Sequence, residues 1–368
     1  MGLLGLSGCG SPSSASVEMS SQTELVKTGS MELQYAENFA VDYYEDGYKM
    51  LTTLPDSKQY LLVPEGQPVP RGLDEDVSIL QEPLQNIYLV ASGVMDMFAS
   101  VDAVDQIRFS GQKQENWYIQ TAKDAMAAGD MIYAGKYSKP DYELLVSEGC
   151  DLAIENRMIT HSPEVVEMLQ SFDIPVMIEY SSYEQHPLGK VEWVKFFGAL
   201  TGKEAEAEEA FAEQTEILEK VESGEKTGKT IAFFYVTSNG LIQVRQSTDY
   251  IPKLIELAGG RYIFEDLEDS GSGRSTLNMQ VEDFYAGAKN ADILIYNSSI
   301  DGGVTTLDEL IGKCNILKDF KALQEGQVYC TTNDMYQQSM AIGYLLQDMH
   351  TVLTDDDTAK LRYLFLLQ

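Results

Sequence analysis

The stretch His186–Glu222, HPLGKVEWVKFFGALTGKEAEAEEAFAEQTEILEKVE, decides how this 368-residue chain is organised. In its second half Ala210, Phe211, Gln214, Ile217, Leu218 and Val221 recur at three- and four-residue intervals, a largely apolar stripe at helical period. Glu204, Glu206, Glu208, Glu209, Glu213, Glu216 and Glu219 cover the remaining positions as a solvated face, and Gly224 ends the pattern. The first half, through Trp193 to Leu200, reads as the end of the segment before it. The pattern predicts one helical connector, residues 203–224, between an N-terminal lobe of residues 31–202 and a C-terminal lobe of residues 225–368.

Both flanks alternate strand and helix. Asn86–Ala91 (NIYLVA) reads as a short buried strand followed by a helix over 94–101, and Asp130–Tyr133 as a strand followed by a helix over Lys139–Glu148. A strand at Leu152–Glu155, a helix at Pro163–Gln170 with Pro163 in its first turn, and a strand at Pro175–Glu179 complete this half. Beyond the connector come strand Thr230–Val236, helices Tyr250–Ala258 and Val281–Lys289, strands Ala291–Tyr296 and Val328–Cys330, and a closing helix, Ser339–Leu353. Such alternation gives parallel sheets with crossover helices. The expected fold class is α/β, with two Rossmann-like lobes joined by a single long α-helix and a ligand cleft between them, because ligands sit beyond the carboxyl ends of strands in open α/β sheets. Ahead of the first lobe's alternation, Met31–Tyr48 and Lys49–Val63 read as paired strands, with Asp46-Gly47 suited to a hairpin turn.

A formal net charge of -32, from 26 Lys and Arg against 58 Asp and Glu, excludes a nucleic-acid partner, since no basic run exists to neutralise phosphates. The four cysteines, at 9, 150, 314 and 330, have neither C-x-x-C spacing nor the density of a disulfide scaffold, and Cys150 and Cys330 read as buried thiols. Three histidines are too few for direct zinc or manganese capture. Gly228-Lys229-Thr230 misses the phosphate-loop spacing and enters a strand, Gly271-Ser-Gly273 lacks the third glycine of a dinucleotide fingerprint, and neither G-x-S-x-G nor H-E-x-x-H occurs. The expectation is a binding protein without enzyme activity or intrinsic cofactor. Outside residues 1–8 no apolar run approaches the roughly 20 residues of a membrane span.

Several phrases resemble one family, the substrate-binding proteins of bacterial ABC importers with a rigid helical linker, which capture iron-siderophores, cobalamin and haem. Tyr133 to Glu143 (YAGKYSKPDYE) followed by Cys150–Ile154 (CDLAI) resembles the family's loop, helix and "PDLVI" strand, and Phe172–Val176 (FDIPV) its "GIPV" strand start. His186 to Trp193 with Gly202-Lys203-Glu204 resembles "PLGRIEWIK…LLGKE", and Leu257–Gly260 with Tyr262 and Phe264 resembles "AGG.NIF". The likeness covers about residues 80 to 350, and the order of the pieces is more specific than any one of them. Leu6-Ser7-Gly8-Cys9 likewise resembles the bacterial lipobox, so residues 1–30 read as a lipobox remnant, behind a clipped signal peptide, and a Ser-rich flexible tether. That implies lipidation at Cys9 and an extracytoplasmic, membrane-anchored location on the bacterial surface or in the periplasm.

The resemblance implies an extracytoplasmic lipoprotein that works as a monomer, binds a ferric siderophore, or in the alternative a tetrapyrrole (cobalamin or haem), and delivers it to a dimeric ABC permease. It also implies two permease-docking carboxylates, Glu143 and Glu282, one in each lobe's corresponding helix. Expected ligand contacts lie on loops after strands, where aromatic rings cover a flat chelate and arginines pair with its anionic groups. They are Ser92, Tyr118, Tyr137, Arg157, Met158, Tyr180 and Tyr183 in the first lobe, and Arg245 and Tyr336 in the second. Axial haem ligation by Met158 and His161 is chemically available, but His161 precedes Ser162-Pro163 where a helix cap is expected. A surface adhesin is the competing class, and it requires a shallow exposed apolar patch in place of an enclosed pocket.

Overall fold

The computed structural model describes residues 25–267, 275–298, 303–355 and 358–368. Its first five strands, β1 (Lys27–Ser30), β2 (Phe39–Tyr44), β3 (Lys49–Thr53), β4 (Lys58–Val63) and β5 (Val77–Gln81), form a sheet in that order. β2 and β3 pair antiparallel across a turn in which Asp46 and Gly47 have φ of 58° and 85°, as that dipeptide predicts. Phe39, Val41, Leu51 and Leu62 join the main core, while Tyr48, Met50, Leu61 and Val63 form a small core on the other face.

The second sheet is parallel throughout. It contains β6 (Ile87–Leu89), β7 (Ile107–Ser110) and β8 (Ile132–Tyr133), then, after a ribbon of β9 (Gly135–Lys136) with β10 (Lys139–Pro140), β11 (Leu152–Asn156) and β12 (Val176–Glu179). The spatial order is β12-β11-β6-β7-β8. Helices α1 (Val94–Ser100), α2 (Gln120–Ala128), α3 (Tyr142–Ser147) and α4 (Pro163–Ser171) lie between the strands. α3 starts later than the Lys139 expected from sequence, because Lys139–Pro140 pairs in the ribbon and the Asp141 carboxylate caps the helix by accepting from the Leu144 N–H.

The quoted stretch folds into two helices, α5 (Pro187–Thr201) and α6 (Glu204–Glu222), broken at Gly202. α5 is buried from Pro187 to Leu200 and is a central post, packed against β2, α1 and α6. Gly198 permits the α5–α6 crossing, since a Cβ there would lie 2.6 Å from that of Ala207. The buried Glu192 carboxylate accepts the backbone N–H groups of Gln34, Tyr35 and Ala36 at 2.8–3.1 Å, and Glu184 accepts those of Glu37 and Asn38. These two acids tie the chain ahead of β2 to the post. α6 buries Ala207, Phe211, Gln214, Leu218 and Val221, most of the stripe read from sequence.

The C-terminal sheet has a parallel centre, β13 (Thr230–Val236), β17 (Ile293–Tyr296) and β18 (Val328–Thr331). The antiparallel strands β14 (Ile242–Arg245), β16 (Thr276–Met279) and β19 (Leu364–Leu366) extend it, and the short β15 (Arg261–Tyr262) runs parallel to β13. This sheet is therefore mixed, because the turn at Ser238–Gly240 returns the chain beside β13 as a hairpin before α7 (Tyr250–Leu257). α8 (Val281–Ala288), α9 (Leu307–Lys313), α10 (Lys321–Gln324) and α11 (Ile342–Thr354) complete the lobe. α11 packs along α6, where the Gln214 carboxamide oxygen accepts the Gly343 N–H at 3.0 Å. One hydrophobic cluster runs from Phe39 through α5 and α6 to α7, α11 and Leu364, so the two lobes share a core at the linker side.

Candidate functional site

The carboxyl ends of four parallel strands converge on a pocket in the N-terminal lobe. Val90 and Ser92 follow β6, Gly111, Gln112, Lys113 and Asn116 follow β7, Tyr133 ends β8, and Asn156 ends β11; Lys136 and Tyr137 of the ribbon close the side. The cavity holds about 300 Å³. Two lysines and no carboxylate line it, in a chain whose acids outnumber its bases by more than two to one. Its potential suits an anion, and its amide and hydroxyl groups suit oriented polar contacts.

Of the expected contacts, Ser92 and Tyr137 line this pocket. Tyr118 stands exposed beside it, two residues after Asn116. Arg157 and Met158 follow β11 as expected, with Met158 exposed and the Arg157 guanidinium stacked 4.7 Å from the Tyr183 ring. Tyr180 is buried and turns toward the first sheet, where Asp56 is its partner, so it packs away from the pocket. Lys113, Lys136, Gln112 and Asn156 also line the pocket without having been expected from sequence; the signal for the two lysines is that each is a cation on a segment that follows a strand.

Arg245 and Tyr336 meet in the C-terminal lobe, but as partners of each other. The Arg245 guanidinium donates to the Tyr336 hydroxyl and pairs with Asp249 at 3.3 Å, and Asn297, just after β17, donates to the same hydroxyl at 2.6 Å. Arg245 ends β14, is buried and holds its proton more tightly than usual, since Tyr336 and Asp249 outweigh the burial that opposes its charge. Lys190 of α5 lies in the same region, 4.7 Å from the Tyr250 ring, with burial lowering its pKa against the pull of Glu179 and Asp249. These charges form a junction where the lobes touch, and Arg245 is part of it.

Around this junction the lobes are in direct contact. The Gln337 carboxamide, on the loop after β18, accepts the Tyr118 N–H and donates to the Asn116 carbonyl, both at 2.8 Å. Asp96 of α1 accepts the Met340 N–H at 2.7 Å; burial pushes its pKa up to about 6. Trp117, between the two gripped residues, is fully buried with its indole N–H on the Ser110 hydroxyl, so it supports the pocket without lining it. Glu155, next to Asn156, is wholly buried with both carboxyl oxygens unpartnered among the described residues, and burial pushes its pKa up to about 8.

His186 caps α5 through Nδ1, and His350 bonds the Ala258 carbonyl, both structural roles; Ser162, not His161, occupies the N-cap position of α4. Cys314 and Cys330 are buried and Cys150 half-buried. Among the described residues no cluster of three or more His, Cys, Asp or Glu is placed to hold a metal, and no helix is long and apolar enough to cross a membrane. Glu143 and Glu282 are exposed in the first turns of α3 and α8. Cys9 lies outside the described residues.

The fold of the chain matches solved proteins over most of its length. A protein of Staphylococcus epidermidis described as a possible iron-binding (periplasmic solute-binding) protein aligns with a TM-score of 0.57 at 17% identity, covering 73% of this chain and 98% of that one. The periplasmic heme binding protein HutB of Vibrio cholerae aligns equally well, with a TM-score of 0.57, 14% identity and the same coverages. The fold is that of the helical-linker solute-binding proteins. Among curated sequences, an uncharacterized lipoprotein of Methanocaldococcus jannaschii is 24% identical over 354 residues, spanning 87% of this chain and 81% of its own length. No family model matches. About a quarter of the chain lies outside that alignment.

Proposed function

We propose that this chain is an extracytoplasmic solute-binding lipoprotein that captures an anionic iron chelate of the ferric-siderophore class and hands it to an ABC importer. The observation that carries the reading is the strand-end pocket with Lys113 and Lys136 on its walls and no carboxylate among its lining residues. A chain so acidic repels anions in general, and a local cationic pocket overcomes that only where anion capture is the purpose. Anionic ferric catecholate chelates are large, so the pocket receives one arm of such a ligand while the exposed rings of Tyr118 and Tyr183 can cover the rest. Haem and cobalamin are the alternatives, with haem the ligand named for two proteins of this fold.

Cys9 would anchor the protein through a lipid, consistent with the relative named as a lipoprotein, and Glu143 and Glu282 would meet cations of a permease dimer. Titration of the purified protein with ferric siderophores, haemin and cobalamin, followed by intrinsic fluorescence, tests the reading. Saturable quenching by a ferric siderophore, weakened in Lys113→Ala and Lys136→Ala, is the expected result. A response to haemin or cobalamin alone transfers the assignment to the tetrapyrroles, and silence toward all three overturns it in favour of a different small solute.

A further inference from the structure

Four residues that line the pocket, Gly111, Gln112, Lys113 and Asn116, come from one short segment between β7 and α2. That segment is closed on itself at its base. Ser110, the last residue of β7, and Trp117 are both fully buried, and the Trp117 indole N–H donates to the Ser110 hydroxyl oxygen at 3.0 Å. The same oxygen accepts the Gln112 N–H at 3.1 Å, and its own proton goes to the Gln112 carbonyl at 2.7 Å. A hydroxyl offers one donor and two acceptor positions. All three are used here, and each holds the segment 110–117.

The backbone beside this hydroxyl is equally confined. The Gly111 N–H donates to the Leu89 carbonyl at 2.8 Å, and a Cβ on Gly111 would lie 2.8 Å from the Cα of Val90, which also lines the pocket. Lys113 itself is held by little: its side chain is more than half exposed, and its ion pair with Glu115 spans 3.9 Å. An exposed pair of that kind adds almost nothing to its placement. The ammonium is therefore positioned by the path of the backbone, and that path is set at Ser110.

We propose that Ser110 is the positioning residue of the pocket: its hydroxyl closes the segment 110–117 onto Trp117 and so presents Gln112, Lys113 and Asn116 to the ligand already ordered. This rests on the strand-end pocket being the ligand site, although Ser110 does not itself line it. A segment ordered in advance loses no further freedom on binding, and the difference shows as affinity. Without the hydroxyl, the Trp117 indole N–H and both Gln112 backbone groups lose this partner. Desolvated groups left in that state are costly, so the segment turns them toward water and leaves the pocket wall.

Ser110→Ala removes the hydroxyl and Ser110→Thr keeps it. The chain has two tryptophans, and Trp193, whose indole N–H donates to the Glu184 carboxylate at 2.9 Å, is the internal standard. By NMR, hydrogen exchange of the Trp117 indole should quicken about tenfold in Ser110→Ala and stay near wild type in Ser110→Thr, with Trp193 unchanged in both. Ferric enterobactin, an anionic tris-catecholate, is the binding probe. Its affinity should fall about tenfold in Ser110→Ala and recover in Ser110→Thr. In the Ser110→Ala background the roughly tenfold effect of Lys113→Ala should shrink to about twofold, while Lys136→Ala, on the ribbon, keeps its full effect. Unchanged affinity in a folded Ser110→Ala overturns the proposal, and so do full effects of both lysine substitutions in that background. If wild type does not bind ferric enterobactin, the ligand class fails and indole exchange decides alone. Release confined to Trp117 in Ser110→Ala then sustains the ordering role, and equal protection in the two proteins overturns it.

Discussion

Glu155→Gln should stabilise this protein, and increasingly so as pH rises. Glu155 is the residue before the last in β11, an interior strand of the parallel sheet, fully buried with both carboxyl oxygens unpartnered among the described residues, and burial moves its pKa from the ordinary 4.5 to about 8. A raised folded-state pKa means that the native protein holds a proton the unfolded chain releases. Its contribution is fully present below pH 4.5 and is lost progressively as pH rises toward 8, at about 1.4 kcal/mol per pH unit. The gap between 4.5 and about 8 amounts to about 5 kcal/mol in total, and about 3 kcal/mol of it is already lost at pH 7. Glutamine matches the protonated acid in shape and cannot ionise, so the variant escapes that loss.

Urea unfolding of both proteins at pH 4.5, 6, 7 and 8.5 measures the difference directly. The stability gap should be small at pH 4.5, reach about 3 kcal/mol at pH 7, corresponding to roughly 5 °C in Tm, and level off above pH 8. A gap that does not change with pH would mean that Glu155 is ionised and solvated in the folded protein, and the reasoning would fail. Other buried acids, including Asp96 and Asp249, also have raised pKa values. The comparison cancels them, since both proteins carry them.

Glu192→Ala leaves the N–H groups of Gln34, Tyr35 and Ala36 without their acceptor and should cost about 4 kcal/mol in urea unfolding; a loss below about 1 kcal/mol would show that the segment repacks. Lys113→Ala and Lys136→Ala should each weaken binding of an anionic ferric siderophore about tenfold, about 1.4 kcal/mol, with a weaker salt dependence by fluorescence titration. Glu143→Lys with Glu282→Lys should abolish uptake in reconstituted vesicles while leaving affinity unchanged, and lost affinity would place these acids in the site or the fold instead.

Much of the architecture was legible because it rests on local periodicity. The stripe Phe211, Gln214, Leu218, Val221 is a property of residues three and four apart, and α6 follows it from Glu204 to Glu222. The Asp46-Gly47 turn and the short apolar strands at 87–89, 152–156 and 293–296 are equally local signals. What local patterns do not carry is which side of an element meets another lobe. α5 looks like an ordinary helix flanking a sheet, yet it is buried on every face, with Glu192 held by backbone N–H groups some 150 residues earlier in the chain. The antiparallel returns of β14, β16 and β19 depend on pairing partners far along the chain in two cases, and no short window specifies them.

The functional residues divide in the same way. Ser92 and Tyr137 could be placed at the pocket because a loop after a strand is a statement about the strand's direction, which sequence conveys. Arg245 could not: an arginine near a strand end is the same sequence whether it faces a ligand or, as here, a buried Asp249 and Tyr336. By itself the sequence determined the α/β alternation of most central strands, the connecting helix and the acidic surface, since each follows from spacing or composition, while β7, α2, β14, β16 and β19 were not read from it. Only the tertiary structure decided that the lobes share a core, that two lysines line the pocket, and that Gln337 bonds the backbone of Asn116 and Tyr118 across the lobes, because those depend on residues brought together from distant parts of the chain.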